Sequence, residues 1–135
     1  MLLISWNVGG LNSPLKQHEM VNLMKKSKCD VCGLLETKLV SSKLQFMHKF
    51  RLKHWRFFSN VEIAGTARIV VLWNPSSVIV DLINSSPQAL HNSVRSLENQ
   101  HAFVATFVYG YNTVIARRSL CDHLRYGLQH VLGLY

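Results

Sequence analysis

The chain opens with an alternation of short apolar runs and polar breaks. The run over Leu2–Trp6 has the length of a strand, and Gly9 and Gly10 end it because glycine adopts turn conformations that bulkier residues resist. Ser13 and Pro14 then predict a helix start, since serine caps helices and proline suits the first helical position. The pattern predicts a strand followed by a helix, whose buried positions would be Met20, Val21 and Met24.

The same order repeats in the next segment. Val31–Leu35 predicts a buried strand that ends in the polar residues Glu36, Thr37 and Lys38. The two serines at positions 41 and 42 open a second helix. Its predicted buried stripe is Leu44, Met47 and Phe50, with Phe46 beside it. A strand-helix-strand-helix beginning predicts an α/β architecture.

From residue 53 onward the pattern changes to consecutive strands. Turn-forming glycine, asparagine, proline and serine separate the apolar runs, which predicts antiparallel neighbours. The predicted strands are Trp55–Ser59, Ala67–Trp73, Val78–Ile83, Leu90–Leu97 and Ala102–Tyr109. Residues 69–73 and 103–109 are apolar on both alternating faces, so we expect cover on both sides of these strands. A helical stripe, with Thr113 as a candidate cap, follows to the end.

Composition narrows the possible partners and compartments. The 135 residues suffice for one domain, and 15 Lys and Arg against 7 Asp and Glu give a net charge of +8, which favours an anionic partner such as nucleic acid. An odd count of 3 cysteines indicates a reducing compartment rather than a disulfide framework. No apolar run approaches the roughly 20 residues of a membrane span. We expect a soluble, intracellular protein that is not secreted, with the nucleus as one location.

Three stretches carry a specific resemblance. ISWNVGGLN at residues 4–12, DVCGLLETK at 30–38 and FVYGYN at 107–112 have the order and approximate spacing of the endonuclease/exonuclease/phosphatase superfamily, whose fold is deoxyribonuclease-I-like. The sequence is most similar to the endonuclease domain of plant-type non-LTR retrotransposons, in which SWNVRGLNSP, GLLETK and VLWNP recur. The similarity covers residues 1–126, about the first half of the family's domain, and leaves residues 127–135 as a divergent tail.

The resemblance implies an α/β (α+β) fold that is the amino-terminal half of a four-layer α/β sandwich. We expect one mostly antiparallel mixed sheet with helices on one side. In relatives a second sheet covers the other face, so here that face would be exposed over more than the few hundred Å² usual for a soluble monomer. This predicts a marginally stable or aggregation-prone chain, unless a partner or self-association covers the exposed sheet face.

The resemblance also implies a phosphodiesterase site that uses Mg²⁺. Asn7 and Glu36 match the family's strand-end asparagine and metal-binding glutamate, so we assign both as catalytic and metal-binding residues. Ligands collect at strand carboxyl ends in open α/β sheets, and Mg²⁺ prefers oxygen ligands while keeping several waters. Tyr109 and Asn112 match a Tyr-x-x-Asn of the family, which assigns Tyr109 as catalytic and Asn112 as substrate-binding, with the DNA phosphate backbone as partner.

The sequence also departs from the family. Gly9 stands where relatives often have a larger polar residue, and neither the family's Gly-Asp-x-Asn nor its closing Ser-Asp-His occurs. Asp122 and His123 follow Cys121 within the helical pattern, so they are not that closing motif. General base catalysis is worth about 10² to 10⁴ in rate and transition-state stabilisation usually more, so we expect a truncated DNA endonuclease that is inactive alone.

Alternatives stay open for each candidate residue and for the function. Asn7 could cap a turn, Glu36 could be a solvated strand end, and Tyr109 could be a core residue with its hydroxyl at the surface. The chain could also be a non-catalytic nucleic-acid-binding remnant, or a non-functional relic.

Two other motifs have competing explanations. Cys29 and Cys32 have the spacing of half a zinc site, but no second pair accompanies them, and burial in a strand explains Cys32. Residues 49–57 interleave basic and aromatic side chains. They could bind DNA through phosphate charge and aromatic contacts, or simply form a helix end and an alternating strand. The basic residues are Lys49, Arg51, Lys53, His54 and Arg56, and the aromatic residues are Phe50, Trp55 and Phe57.

Overall fold

The computed structural model describes residues 1–110 and residue 118. The strands are β1 (Leu3–Asn7), β2 (Val31–Leu39), β3 (Arg56–Ser59), β4 (Ala67–Trp73), β5 (Val78–Ser86), β6 (Ala89–Ser96) and β7 (Ala102–Val108). The helices are α1 (Pro14–Ser27), α2 (Ser41–Arg51) and α3 (Val61–Ala64). The predictions for Asn112, for the last helix and for the boundary after residue 126 lie outside these residues.

The strands in the described residues form two sheets. In the first, the order is β1-β2-β4-β3, with β1 parallel to β2 and the other pairs antiparallel. The second is antiparallel, in the order β5-β6-β7. The α/β (α+β) class is therefore confirmed, whereas the expectation of a single sheet is wrong. A turn at Asn74, closed by the bond from Ser77 N to Asn74 O (3.1 Å), leads β5 into the second sheet instead of back along β4.

The helices cover one face of the first sheet. Ser13 caps α1, its hydroxyl accepting from Lys16 N at 3.4 Å, and Pro14 occupies the first turn, as predicted. The predicted buried positions of α1 are confirmed as Met20, Val21 and Met24. None of the helices in the described part of the chain is long and apolar enough to cross a membrane.

The stripe predicted for α2 is partly wrong. Leu44 and Met47 are buried against the sheet, but Phe50 is exposed. Successive residues of a helix are separated by about 100°, so each step of three residues falls about 60° short of a full turn. Two such steps move Phe50 about 120° away from the direction of Leu44. Leu52, directly after the helix, is buried at this end instead.

The second sheet covers the face of the first that was expected to be exposed. Phe107 of β7 lies so close to Gly33 of β2 that a Cβ on this glycine would be 2.1 Å from the ring. The core between the sheets contains Val31, Ile69, Val71, Trp73, Val78, Val80, Leu90, Val94, Ala105 and Phe107. The expected uncovered face is therefore wrong, and with it the basis for self-association through that face. The layers are helices, mixed sheet and antiparallel sheet.

Candidate functional site

The carboxyl ends of β1 and β2 meet at one edge of the first sheet because these strands run parallel. Asn7 ends β1, and its register partner is Leu35, the residue before Glu36. Backbone bonds continue past this pair, from Val8 N to Leu35 O (3.0 Å) and from Gly10 N to Glu36 O (2.7 Å). The structure thus places the two predicted metal-binding residues on neighbouring strands, Asn7 at the end of β1 and Glu36 in β2 one residue beyond the partner of Asn7.

Glu36 lies in a bulge of β2. Leu35 pairs with Ile69 and Leu39 with Ala67, so residues 36–38 of β2 face only Arg68 of β4. Both Glu36 and Lys38 have a φ of 59°, a left-handed conformation that costs a non-glycine residue about 1–2 kcal/mol. Bulges change the direction of side chains, and backbone strain of this kind clusters at functional sites.

Thr37 holds the bulge in place from its buried centre. Its hydroxyl donates to Ala67 O and accepts from Leu39 N, the latter at 3.3 Å. Asn12 ties the loop after β1 to the same bulge, since its Nδ2 donates to Lys38 O at 3.1 Å. These bonds fix the backbone from which the Glu36 side chain extends.

The Glu36 carboxylate is accessible and only weakly paired. Its Oε1 lies 3.7 Å from the Nζ of Lys38, and the two side chains are 28% and 62% exposed. An exposed ion pair of this length contributes little stability, because water and salt screen both charges. The carboxylate oxygens therefore remain open to a cation from solution.

Asn7 has the turn-capping contact that its alternative interpretation required. Its Oδ1 accepts from Gly9 N at 3.0 Å. Gly9 and Gly10 have φ of 58° and 96°, so this turn uses the left-handed freedom of glycine. The contact does not exhaust the amide, which has a second lone pair on the oxygen and two N–H donors. Asn7 is also exposed, so it can serve the turn and a ligand together.

Two lysines at this edge were missed by the sequence analysis. Lys16 in the first turn of α1 donates from Nζ to Val8 O at 2.8 Å and to Gly9 O at 3.3 Å. Lys38 lies beside Glu36. A basic residue on a first helical turn is the only sequence signal for Lys16, whereas the bulge that positions Lys38 has none. We call Asn7, Lys16, Glu36 and Lys38 the strand-end cluster.

Tyr109 reaches the same end of the molecule through Arg68. Tyr109 directly follows β7, and its N donates to Gln88 O at 2.8 Å. The Arg68 guanidinium carbon lies 4.8 Å from the centre of the Tyr109 ring, and its Nη2 donates to Tyr109 O at 3.4 Å. Arg68 is the β4 residue opposite the bulge at Glu36. It therefore connects Tyr109 to the end of the first sheet that carries Glu36. The ring also packs against the core between the sheets, so the core alternative holds in part.

The donor set suits a metal bound partly by its substrate. No group of three or more His, Cys, Asp and Glu side chains able to hold a metal occurs in the described residues. Mg²⁺ needs no such cage, since one or two carboxylates plus phosphate oxygens and waters complete its octahedron. Glu36 offers the carboxylate and Asn7 an amide oxygen, so the residues present fit that mode.

Cys29 and Cys32 are buried free thiols. A hydrogen bond from Cys32 to Cys29, together with burial, raises the pKa of Cys32, while the same bond lowers the pKa of Cys29 to about 7. The described residues offer no further ligands for zinc beside this pair. The prediction that strand burial accounts for Cys32 is confirmed.

Comparison with known proteins gives a relative in sequence and several in structure. No family profile matches the chain. An exodeoxyribonuclease of Bacillus subtilis is 29% identical over 129 residues, which are 96% of this chain and 48% of that protein.

The structural matches have the same architecture. The endonuclease domain of TRAS1, a telomere-specific non-LTR retrotransposon, has a TM-score of 0.68 at 11% identity, over 91% of this chain and 52% of that one. The endonuclease/exonuclease/phosphatase from Bacteroides vulgatus has a TM-score of 0.66 at 10% identity, over 97% and 60%. The human Nocturnin catalytic domain has a TM-score of 0.60 at 15% identity, over 93% and 56%.

The chain spans about half the length of the Bacillus relative and of the TRAS1 domain. The resemblance that the three sequence motifs indicated is confirmed. The chain has the deoxyribonuclease-I-like fold of the endonuclease/exonuclease/phosphatase proteins.

Proposed function

We propose that this chain carries the amino-terminal part of a Mg²⁺-dependent phosphodiester hydrolase site that acts on DNA. The observation that carries the proposal is the position of Asn7 and Glu36 on adjacent parallel strands, one residue apart in register, with Glu36 held at a φ of 59° in a bulge. The names of the Bacillus exodeoxyribonuclease and of the TRAS1 endonuclease domain support DNA as substrate. TRAS1 also supports an origin in a non-LTR retrotransposon, and hence action on nuclear DNA.

Each residue of the site has a separate task in this proposal. Glu36 and Asn7 would hold Mg²⁺, which when bound supplies positive charge that stabilises a reacting phosphoryl group. The Asn7 amide would donate to a phosphate oxygen. Lys16 and Lys38 add positive charge along the same edge, which attracts the DNA backbone. Tyr109 and Asn112 would contact the phosphate and the backbone beyond it.

We expect hydrolysis by the 135-residue chain to be weak. Its sequence contains neither Gly-Asp-x-Asn nor Ser-Asp-His, so no residue is assigned to activate the attacking water. A general base contributes about 10² to 10⁴ in rate. Metal-dependent DNA binding needs only the strand-end cluster, so it should be measurable where hydrolysis is not.

The test measures binding of duplex DNA by fluorescence anisotropy in Mg²⁺ and in chelator. We expect Mg²⁺ to raise the affinity of the wild-type chain severalfold, and Glu36→Gln to remove this increase. Glu98→Gln is the matched control, because Glu98 lies in the turn between β6 and β7, at the end of β6 away from Tyr109. Plasmid nicking is followed in the same samples, and any Mg²⁺-dependent nicking should disappear with Glu36→Gln.

Two results would overturn the proposal in favour of its alternatives. Salt-sensitive DNA binding that is the same in Mg²⁺ and chelator, and is unchanged by Glu36→Gln, would indicate a non-catalytic nucleic-acid-binding remnant. Absence of any DNA affinity at low salt would indicate a non-functional relic.

A further inference from the structure

The outer surface of α2 carries an aromatic and basic patch that the strand-end cluster does not use. We propose that this patch, formed by Phe46, Lys49 and Phe50, binds single-stranded nucleic acid. Base faces would stack on the two phenyl rings, and the lysine would contact the phosphates. The proposal concerns the helix layer, so it does not depend on the metal site.

The two rings form an exposed pair. Phe46 and Phe50 are one helical turn apart, their ring centroids are 4.5 Å apart, and the planes are inclined by 45°. Their exposed fractions are 64% and 63%, although Leu44 and Met47 of the same helix are buried. The Nζ of Lys49 lies 5.4 Å from the centre of the Phe50 ring. A single exposed apolar residue is ordinary, but two rings in contact form a contiguous apolar patch, and such patches mark interaction surfaces.

Charge favours a polyanion as that partner. The sequence of α2, SSKLQFMHKFR, contains no acidic residue, and Lys43, Lys49 and Arg51 are all exposed. Lys43 is three residues before Phe46, which puts it on the neighbouring position of the same face. Aromatic rings flanked by cations are the arrangement that binds unpaired bases through stacking and phosphates through charge.

The rings also distinguish between anionic partners. In a duplex the base faces stack on one another and are closed to a side chain, whereas a single strand presents them. A helix that binds a lipid surface buries a broad apolar face in it. The aliphatic residues of α2, Leu44 and Met47, already pack on the sheet, which leaves the two rings as its exposed apolar side chains.

The structure also selects among the aromatic residues that the sequence offered. Trp55 and Phe57 are partly buried against the core. The Trp55 carbonyl lies 2.6 Å from His48 Nε2, and the Phe57 ring lies 4.9 Å from the His48 ring. The carbonyl of Trp55, directly before β3, and the ring of Phe57 in β3 thus both contact His48 of α2. Of the aromatic residues Phe50, Trp55 and Phe57, only Phe50 has a ring exposed for stacking on a base. Its ring lies beside that of Phe46.

The experiment measures binding of a fluorescein-labelled oligothymidylate and of a duplex of equal length by fluorescence anisotropy. The full 135-residue chain is compared with the double variant Phe46→Leu/Phe50→Leu, which keeps apolar helix-forming residues and removes the rings. Loss of base stacking should weaken oligothymidylate binding about tenfold or more, while duplex binding changes less than about twofold. Lys49→Gln should weaken both and reduce their salt dependence.

Matched controls separate the patch from general surface effects. Ile63→Ala removes an exposed apolar side chain from α3, and Lys25→Gln removes an exposed charge from α1. Both should leave the preference for oligothymidylate over duplex unchanged. The same measurements in chelator, where the strand-end cluster holds no Mg²⁺, should still show the wild-type preference for oligothymidylate over duplex, which distinguishes this proposal from the proposed function.

Three outcomes would overturn the proposal. One is oligothymidylate binding by the double variant that equals the wild type, with circular dichroism showing that both are folded. Another is a wild-type chain with no affinity for oligothymidylate at low salt. The third is a wild-type chain that binds phosphatidylserine vesicles but not the oligonucleotide, which would make the patch a lipid contact.

Discussion

The two ends of β2 belong to one strand but differ in pairing, burial and backbone conformation. At the amino end, Val31, Cys32 and Gly33 pair one-for-one with both β1 and β4 and are buried. At the carboxyl end the register shifts, and Glu36 and Lys38 have positive φ.

The difference shows what decides the conformation in each half. Packing on both faces imposes a regular ladder where β2 lies between the helix layer and the second sheet. Beyond Leu35 the chain carries the charged side chains of Glu36 and Lys38, which a strand covered on both faces would remove from water. The bulge at residues 36–38 directs them to one edge at a cost in backbone strain. The regular half should therefore dominate stability, and the irregular half should dominate ligand binding.

The largest expected effect is in the regular half. Leu34→Ala should lower the free energy of unfolding by about 3 kcal/mol, because it empties a fully buried position. Glu36→Gln should change it by less than about 0.5 kcal/mol, because that side chain is partly exposed and weakly paired. Urea denaturation measures both. Similar losses for the two variants would remove the proposed division between the halves.

A slightly smaller effect is expected at Gly33. An alanine there would place its Cβ 2.1 Å from the Phe107 ring, so Gly33→Ala should destabilise the chain by about 2 kcal/mol through overpacking between the sheets. Phe107→Leu also costs stability alone, but the two changes together should cost clearly less than their sum. Additive losses would show that the second sheet does not lie against β2 as described.

The regular half of β2 was predicted well from the sequence, as were the regular elements α1 and β4. The run at Val31–Leu35, the cap of α1 and its buried methionines all follow from local patterns, and Ala67–Trp73 was predicted with its observed limits. Alternation indicated correctly that Ile69 and its neighbours are covered on both faces, but the same expectation for residues 103–109 is wrong, because β7 exposes Phe103 and Val108. It could not indicate that β5, β6 and β7 supply one of these covers, because alternation does not specify which strands pair.

The irregular half could be predicted only in part. The motif resemblance marked Asn7 and Glu36, and parallel pairing of β1 and β2 brings them together. The bulge was missed, since Glu36, Thr37 and Lys38 read as a strand end and nothing in their side chains signals a positive φ. The contact of Lys16 with Val8 O depends on how α1 returns over β1, which is tertiary information.

A moderate effect of opposite sign is expected at the strained position. Glu36→Gly should raise the free energy of unfolding by about 1 kcal/mol, because glycine adopts a φ of 59° without the Cβ penalty. The same variant should lose Mg²⁺-dependent DNA binding. Urea denaturation and anisotropy measure the two effects, with Glu36→Gln as the control that loses binding at unchanged stability. A destabilised Glu36→Gly would show that the bulge is not strained there.

The smallest effect is expected at Lys38. Lys38→Gln should alter stability by less than about 0.5 kcal/mol, since its 3.7 Å pair with Glu36 is exposed. It should nevertheless tighten Mg²⁺ binding severalfold, because the ammonium competes with the cation for the carboxylate. Calorimetric titration with MgCl₂ measures the change. Weaker Mg²⁺ binding in this variant would show that Lys38 organises the carboxylate instead of competing for it.

The most direct test of the central claim is a titration of the isotopically labelled chain with Mn²⁺, a paramagnetic substitute for Mg²⁺, followed by amide NMR spectra. A cation held by Asn7 and Glu36 should broaden the amide signals of residues 7–10 and 36–38 first, leave those of residues 31–33 sharp at the same concentration, and lose this selectivity in Glu36→Gln. Broadening that begins at residues 31–33, or that is the same in Glu36→Gln, would contradict a metal site at the carboxyl end of β2.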